Sequence, residues 1–216
     1  MISFLLFMDA KTPTAGVILA AGMSRRFGQP KQLTKIGGRT LVEITVEAAL
    51  GSKLDHVVVV LGFAMDAVMQ VLARHRQYPF LNIIENKDFR NGMAGSIHHG
   101  LKAVAHDYSS VMFILGDQPL IRIEFINLLL ERFRASDKDI CVPVYRGQRG
   151  NPAIFSCRFY HQLFKISGDV GGREIISAHP QDVCEVEVND PHVFTDIDKP
   201  ADLEKLKASA GVNLPK

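Results

Sequence analysis

Short runs of β-branched and other apolar residues alternate along the chain with stretches of helical spacing. Five runs are long enough for a strand buried on both faces: Val17 to Ala20, Val57 to Leu61, Leu81 to Ile84, Val111 to Leu115 and Ile140 to Val144. The stretches between them carry apolar residues on one helical face, as at Ile97, Leu101 and Val104. This alternation predicts a doubly wound, Rossmann-like, three-layer α/β domain with a mostly parallel sheet.

The domain organisation is predicted from the length of the chain and from the positions of its proline and glycine residues. The chain has 216 residues and no fixed-period repeat or low-complexity linker, which predicts one domain. We place it at residues 14–216, after an N-terminal extension of residues 1–13. A hairpin is predicted by Pro143, Gly147, Gly150 and Pro152, and an exposed loop by the segment from Ser167 to Gly172. An open sheet would carry its substrate-specific additions here.

Composition excludes several classes of protein. Apolar residues make up 47% and charged residues 22%, which argues against disordered, collagen-like and coiled-coil chains. The charge balance is 25 − 23 = +2 without a basic run, so we expect no nucleic-acid partner. Cys141, Cys157 and Cys184 form no CxxC pair, which argues against a disulfide framework and a zinc site.

The apolar run from Ile2 to Met8 is too short for a membrane span and lacks the basic flank of a signal peptide. One interpretation is an unused upstream start, with Met8 the actual one. No other stretch approaches the length of a spanning helix. We therefore expect a cytoplasmic protein with reduced cysteines and no membrane partner.

The segment after the first strand reads LAAGMSRRFGQPK over residues 19–31. Loops at the carboxyl edge of an open α/β sheet bind ligands. The small residues Ala20, Ala21, Gly22 and Ser24 let backbone amides approach an anion, and three basic residues add positive charge, which predicts a triphosphate cradle. Those basic residues are Arg25, Arg26 and Lys31. The spacing fits neither G-x-x-x-x-G-K-[ST] nor G-x-G-x-x-G. The alternative is a tight turn with solvated basic side chains.

A single carboxylate, Asp117, follows the strand from Val111 to Leu115. Mg²⁺ is usually held by one or two carboxylates together with substrate phosphates, so Asp117 is the first candidate for a metal ligand. Its alternative role is a helix N-cap or turn former before a helix predicted from Ile121 to Arg134.

The glycine-rich segment resembles the L-A-A-G-x-S-x-R-x-G-x-x-K signature of the MobA-like nucleotidyltransferases, in particular the molybdenum cofactor cytidylyltransferases. The resemblance extends from Val17 to Leu203 and implies a fold of the nucleotidyltransferase type. It implies that the loop binds a nucleoside triphosphate, with Arg26 and Lys31 as catalytic residues beside Asp117. Members that use GTP usually carry Ala-Gly-Gly, so the stretch Ala20-Ala21-Gly22 favours CTP.

The same resemblance implies the remaining nucleotide and metal residues. Gly116-Asp117-Gln118-Pro119 matches the family's metal-binding strand end, and Asp196-Ile197-Asp198 resembles its Asp-Ile-Asp segment. Asp198, rather than Asp196, is then the second ligand of Mg²⁺, for which Mn²⁺ could substitute. The segment from Asn91 to Ile97 resembles the family's Gly-Met-x-x-Ser segment, which lies by the nucleotide, and its Ser96 either contacts the base or caps a helix. The implied nucleotide-binding set is Leu19, Ala20, Ala21, Gly22, Ser24, Arg25, Lys31, Leu61, Gly62, Gly95, Ser96 and Gly116.

Two further segments are implied to bind the acceptor. Arg149-Gly150-Asn151-Pro152 resembles the family's Arg-Gly-His-Pro, with Asn151 in place of the usual His. The stretch from Gly168 to Arg173 is similar to Gly-Asp-x-Gly-Ala-Arg and contributes Asp169 and Arg173. Arg173 either binds an acceptor phosphate or neutralises a helix surface.

The resemblance implies Mg²⁺-dependent transfer of CMP from CTP to the terminal phosphate of molybdopterin cofactor. The products are molybdopterin cytosine dinucleotide and pyrophosphate, and a recipient molybdoenzyme is a further expected partner. One alternative is a related nucleotidyltransferase that uses another phosphorylated acceptor, or GTP. Another is a noncatalytic carrier that delivers the cofactor to a molybdoenzyme.

Overall fold

A computed structural model describes residues 13–24, 26–190, 194–197 and 199–208. Two predicted site residues, Arg25 and Asp198, lie outside the described residues, as do residues 1–12 of the predicted extension.

The five predicted strands are all present, each slightly longer than the apolar run that indicates it. The strands are β1 Thr14–Ala20, β2 Lys35–Ile36, β3 Arg39–Thr40, β4 His56–Leu61, β5 Leu81–Glu85, β6 Ser110–Leu115, β7 Ile140–Tyr145, β8 Gln148–Arg149, β9 Ala153–Ser156 and β10 Val183–Glu187. The helices are α1 Leu41–Leu50, α2 Met65–Leu72, α3 Met93–Val104, α4 Ile123–Ala135, α5 Tyr160–Leu163, α6 Arg173–Ala178 and α7 Pro200–Ala208.

The main sheet has the strand order β10-β7-β9-β6-β1-β4-β5, with β8 paired to β7. Strand β1 is parallel to β4 and to β6, β4 is parallel to β5, and β7 is parallel to β10. Only β8 and β9 pair antiparallel to their neighbours in this sheet. The chain moves outward from β1 to β4 and β5 and then returns to place β6 on the other side of β1. A switch point therefore lies between β1 and β6, where open α/β sheets bind their ligands.

Helices cover both faces of the sheet. Apolar residues of α1, α2 and α4 pack with one face, among them Val46, Val68 and Leu129. Residues of α3, α5 and α6 pack with the other, among them Leu101 and Leu163. The predicted three-layer, Rossmann-like α/β fold is confirmed. Among the described residues, no helix has the length and hydropathy needed to span a membrane. A cytoplasmic location stays a prediction.

Local expectations in the second half of the chain are confirmed in two places. Strands β7 and β8 form the predicted hairpin, with Tyr145 opposite Gln148. The segment that begins at Ser167 is exposed as far as Asp169.

Two capping interpretations are wrong. Helix α4 begins at Ile123 with Arg122 at its N-cap, so Asp117 does not cap it; Asp117 lies in a turn before the helix, which agrees with its alternative role as a turn former. Helix α3 begins at Met93 with Gly92 at its N-cap, so Ser96 lies inside the first turn and caps nothing. In both cases the local residue pattern misplaces the helix start.

Candidate active site

A cleft of about 660 Å³ opens at the carboxyl ends of β1 and β6. Three segments build its walls: residues 19–24 from the end of β1, residues 89–93 up to the start of α3, and residues 115–117 from the end of β6. Arg26, Lys31, Gln32, Ser96 and Asp169 complete the lining. The cleft therefore occupies the switch point of the sheet.

Most of the predicted nucleotide residues line this cleft. They are Leu19, Ala20, Ala21, Gly22, Ser24, Lys31, Ser96 and Gly116, and the predicted catalytic residues Arg26 and Asp117 join them. Three others lie behind the wall. Leu61 is fully buried, Gly62 is packed between Phe89 and Ala21, and Gly95 faces Asn86.

The glycine-rich loop presents unpaired backbone amides. Within the described part of the chain, the structure records no acceptor for the N–H of Ala21, Gly22 or Met23. Successive free amides of this kind form a concave anion-binding site. The loop can therefore bind phosphate oxygens through its main chain.

Gln32 holds the loop in this shape. Its side chain is 2% exposed, and its Nε2 donates to the carbonyl oxygens of Ala20 at 3.0 Å and Gly22 at 2.8 Å. In a trans peptide the carbonyl and the following N–H point in opposite directions. The amides of Ala21 and Met23 are therefore turned away from Gln32.

Ser24 adopts a left-handed backbone conformation with φ of 53°, which is uncommon for a residue with a Cβ. Its hydroxyl accepts from the N–H of Lys31 at 3.0 Å and donates to Gln32 Oε1 at 3.3 Å. Its carbonyl accepts from the N–H of Phe27 at 2.8 Å. These bonds stabilise the turn that brings Lys31 back to the cleft.

Lys31 forms an ion pair with Asp117, 86 residues away in the chain. The two side chains are 16% and 19% exposed. The pairing of β1 with β6 brings their loops together, with Leu19 opposite Leu115. The ion pair therefore lies at the edge of the glycine-rich loop.

The donor set fits a divalent cation whose shell is completed by substrate. No cluster of three or more His, Cys, Asp or Glu residues suited to a metal occurs in the part of the chain that the structure describes. Mg²⁺ needs only one or two carboxylates when phosphate oxygens supply other ligands. Asp117 provides one carboxylate. Ile197, which precedes the undescribed Asp198, donates from its N–H to the carbonyl of Asp117 at 3.0 Å.

The opposite wall contains a fixed hydroxyl. Asn86 is fully buried, its Oδ1 accepts from the N–H of Asp88 at 3.0 Å, and its Nδ2 donates to Ser96 Oγ at 3.0 Å. Because the bond to Asp88 sets the orientation of the amide, Ser96 must accept from it. The hydroxyl hydrogen of Ser96 is then left to donate to another group.

The loop before α6 closes the end of the cleft. Asp169 Oδ1 accepts from the N–H of Met93 at 3.2 Å, and the carbonyl of Gly168 accepts from the N–H of Ala94 at 3.1 Å. These bonds cap α3 from a distant part of the chain. Asp169, predicted to bind the acceptor, therefore lies at the first cleft.

Sequence reasoning missed Gln32, Phe89 and Arg90, whereas Asn91, Gly92 and Met93 belong to the segment expected beside the nucleotide and line the cleft. The residue type of Gln32 gives no sign of its burial, since a polar side chain beside a basic motif is usually exposed. Phe89 and Arg90 lie between β5 and α3, so the general rule that ligands bind at the carboxyl ends of parallel strands could have found them.

A second cleft, of about 340 Å³, contains the other three predicted acceptor residues, Arg149, Asn151 and Arg173. Its remaining lining is Gln118, Tyr145, Gln148, Gly150, Phe194 and Asp196. A Cβ on Gly150 would lie 1.7 Å from the ring of Phe194, so glycine is required for this close packing.

The chain is similar to several known proteins. The family model described as MobA-like NTP transferase domain matches residues 16–183. Purine catabolism protein PucB of Bacillus subtilis is 27% identical over 199 residues, which cover 89% of this chain and 95% of that protein. Nicotine blue oxidoreductase of Paenarthrobacter nicotinovorans is 31% identical over 200 residues, with coverage of 88% and 95%. A probable molybdenum cofactor guanylyltransferase of Thermococcus sibiricus is 29% identical over 135 residues, with coverage of 61% and 62%.

Solved structures agree with the fold. Rv0371c of Mycobacterium tuberculosis superposes with a TM-score of 0.80 at 28% identity, covering 92% of this chain and all of that one. Its complex with manganese gives a TM-score of 0.77 at 26% identity, with coverage of 92% and 100%. A nucleotidyl transferase from Methanothermobacter thermautotrophicus shares the fold, with a TM-score of 0.76 at 20% identity and coverage of 91% and 96%.

Proposed function

The chain belongs to the MobA-like NTP transferase domain family, and from this premise we propose that it transfers a cytidylyl group from CTP to the terminal phosphate of molybdopterin cofactor. The observation that carries the proposal is the pairing of Lys31 with Asp117 beside three loop amides that have no recorded acceptor among the described residues. These groups have the charges and positions needed to bind a triphosphate and a divalent cation at one point.

The reaction is a displacement at the α-phosphorus of CTP. An oxygen of the acceptor phosphate forms a bond to that phosphorus, and the bond to the bridging oxygen of the β-phosphate breaks. Pyrophosphate leaves with the electron pair. The acceptor phosphate is ionised at neutral pH, so no strong general base is needed. The protein's contribution is to position the reactants and neutralise their charge.

Each binding group has a distinct role in this scheme. The amides of Ala21, Gly22 and Met23 bind the phosphates, and Lys31 and Arg26 neutralise the charge that develops on the leaving pyrophosphate. Asp117 would hold Mg²⁺, or Mn²⁺, which supplies charge neutralisation on the phosphates when bound. We propose Asp198 as its second carboxylate. The complex of the similar protein Rv0371c with manganese supports the use of a divalent cation.

GTP is the competing nucleotide. The stretch Ala20-Ala21-Gly22 favours CTP by resemblance, whereas the similarity to probable molybdenum cofactor guanylyltransferases favours GTP. Ser96 supplies a hydroxyl donor to the cleft, and cytosine and guanine both present acceptors for it. An assay with each nucleotide therefore distinguishes CTP from GTP as the donor.

The proposed acceptor site is the second cleft. Arg149, Asn151 and Arg173 lie together in the second cleft, which supports an anionic acceptor there. Asn151 replaces the His of the resembled motif, and another phosphorylated acceptor is the alternative. A noncatalytic carrier that binds the cofactor and delivers it to a cytoplasmic molybdoenzyme is the alternative outside enzymes.

The test is pyrophosphate release with each of the four nucleoside triphosphates in Mg²⁺, with and without molybdopterin cofactor. We expect release with CTP that depends on the cofactor. Pyrophosphate release with GTP and not with CTP would mean that the donor nucleotide is GTP. Binding of the cofactor with no release from any nucleotide would establish the carrier instead.

A further inference from the structure

Two consecutive residues of the chain line the two different clefts. Asp117 lines the first cleft and Gln118 lines the second. A molecule bound in the second cleft therefore lies beside the residue that directly follows the proposed metal ligand. This position suits a side chain that recognises the acceptor.

Gln118 is held in one orientation. Its side chain is 3% exposed, and its Nε2 donates to Asp196 Oδ1 at 2.7 Å. A carboxylate accepts hydrogen bonds and does not donate them, so the nitrogen of the amide must face Asp196. The assignment of oxygen and nitrogen in this side chain is therefore settled by its partner.

The oxygen of the same amide has no partner. Gln118 Oε1 is buried and makes no hydrogen bond within the described part of the chain. Buried polar groups in native proteins are paired in the great majority of cases, and an exception calls for an explanation. A ligand that donates a hydrogen bond would provide one.

Charge and shape around Gln118 limit what that ligand can be. Arg149 is committed to Glu185 at 2.7 Å, whereas Arg173 is exposed and has no recorded hydrogen bond or ion pair within the described residues. The rings of Tyr145 and Phe194 lie together on one wall, 6.4 Å apart. The lining of the cleft thus includes an exposed guanidinium, two aromatic rings and Gln118, whose buried Oε1 has no partner among the described residues.

We propose that Gln118 determines acceptor specificity by accepting, at Oε1, a hydrogen bond from an N–H or O–H group that the acceptor carries apart from its phosphate. Arg173 binds the phosphate end. This inference rests on the proposed function, because it assigns the second cleft to the acceptor. The acceptor class is a phosphomonoester with a hydrogen-bond donor on its non-phosphate part, a description that molybdopterin, with its amino and ring N–H groups, satisfies.

The consequence is rejection of donor-free phosphates. A molecule without the donor leaves Oε1 unpaired in the complex, and a site built to bond a polar group discriminates strongly against analogues that lack it. Simple alkyl phosphates are therefore expected to bind only through Arg173.

The experiment replaces Gln118 with Met, which has a similar length and no strong acceptor. With molybdopterin cofactor as acceptor, we expect Gln118→Met to raise the acceptor KM by about tenfold or more while the KM for CTP changes less than about twofold. Gln70→Met, at an exposed glutamine of α2, is the matched control and should leave both constants unchanged.

A structural role for Gln118 predicts a different result. It would raise both KM values together and lower the melting temperature well below that of the control. That outcome, or an unchanged acceptor KM, overturns the proposal.

Direct binding separates this inference from the proposed function. Calorimetry compares the affinity of wild type and Gln118→Met for molybdopterin cofactor and for methyl phosphate. A loss confined to molybdopterin supports the inference even if wild type transfers no CMP, in which case only the proposed function fails. Equal affinities of both proteins for molybdopterin, including no binding to either, overturn the inference even if transfer occurs.

Discussion

Single side chains decide whether the first cleft can bind an anion. Gln32 bonds two carbonyl oxygens of the glycine-rich loop, and Lys31 and Asp117 set the charge at its edge. Gln32 contacts the loop rather than the reacting atoms, so its role is to position the amides. Asp117 faces the cleft itself.

Gln32→Leu should weaken nucleotide binding. It leaves the carbonyls of Ala20 and Gly22 without their donor. Ala20 is buried, so its unpaired carbonyl costs about 1–3 kcal/mol, whereas Gly22 is exposed and its carbonyl can bond water. We expect the KM for CTP to rise by about tenfold or more. Steady-state kinetics on this variant and on Gln29→Leu, at an exposed neighbour, provide the comparison. A KM equal to that of the control would remove Gln32 from this role.

Asp117→Asn should abolish most turnover without unfolding the protein. The substitution keeps the side-chain shape and removes the charge that would hold the cation, so we expect a loss on the order of 10²–10³ in kcat. Circular dichroism should be unchanged. Asp107→Asn, at an exposed carboxylate, is the control. Near-normal turnover of Asp117→Asn would mean that the carboxylate holds no essential cation.

Helix α3 depends on a distant loop for its start. Gly168 and Asp169 bond the first amides of the helix, and Gly92 makes their approach possible. A Cβ on Gly92 would lie 2.3 Å from the carbonyl oxygen of Gly168, and its φ is 99°. The loop and the helix therefore form one unit beside the cleft.

Gly92→Ala should destabilise this unit more than backbone strain explains. Gly147 has a similar positive φ of 77° and open space around it, so Gly147→Ala measures the strain alone. We expect Gly92→Ala to lower the free energy of unfolding by about 1–3 kcal/mol more than Gly147→Ala, as an added clash does in packed structure. Urea unfolding of both variants gives the difference. Equal losses would mean that the loop is not held against the helix.

Long-range ionic contacts join separate parts of the molecule. Glu47 on α1 bonds Arg39 of β3 at 2.5 Å, and Arg74 and His75 beyond α2 at 2.7 and 3.2 Å. Burial alone would raise the pKa of Glu47. Hydrogen bonds from Arg39 and His75 and the charges of Arg39 and Arg74 outweigh burial, so the pKa lies below its ordinary value of 4.5.

Acid should therefore remove stability that Glu47 contributes. A carboxyl group with a lowered folded pKa stabilises the protein fully above its unfolded pKa, and the contribution is lost as the pH falls through the folded value. We expect the free energy of unfolding to fall more steeply below about pH 4.5 in wild type than in Glu47→Gln. Urea titrations across this range test it, with Glu124→Gln on the exposed face of α4 as control. Parallel curves for wild type and Glu47→Gln would contradict it.

The strands were predictable because a strand buried on both faces carries its signal in consecutive residues. Thr14–Ala20 and Ser110–Leu115 each contain such a run, and the proline and glycine pattern marks the β7–β8 hairpin in the same local way. The start of α3 was not predictable, since Asp169 supplies its cap from 76 residues away. Gln118 was equally hidden, because its burial and its bond to Asp196 arise only in the folded chain.

By itself, the sequence determined the alternation of strands and helices, the small residues of the loop after β1 and the carboxylate at the end of β6. Tertiary structure decided which of these groups meet: Lys31 with Asp117, Asp169 with the first cleft, and Arg149 with Arg173 in the second. The physical reason is the sequence separation over which the interactions act. Hydrophobic periodicity and turn chemistry act between neighbours in the chain, whereas a contact across 86 residues depends on the insertion of β6 beside β1, which no local pattern specifies.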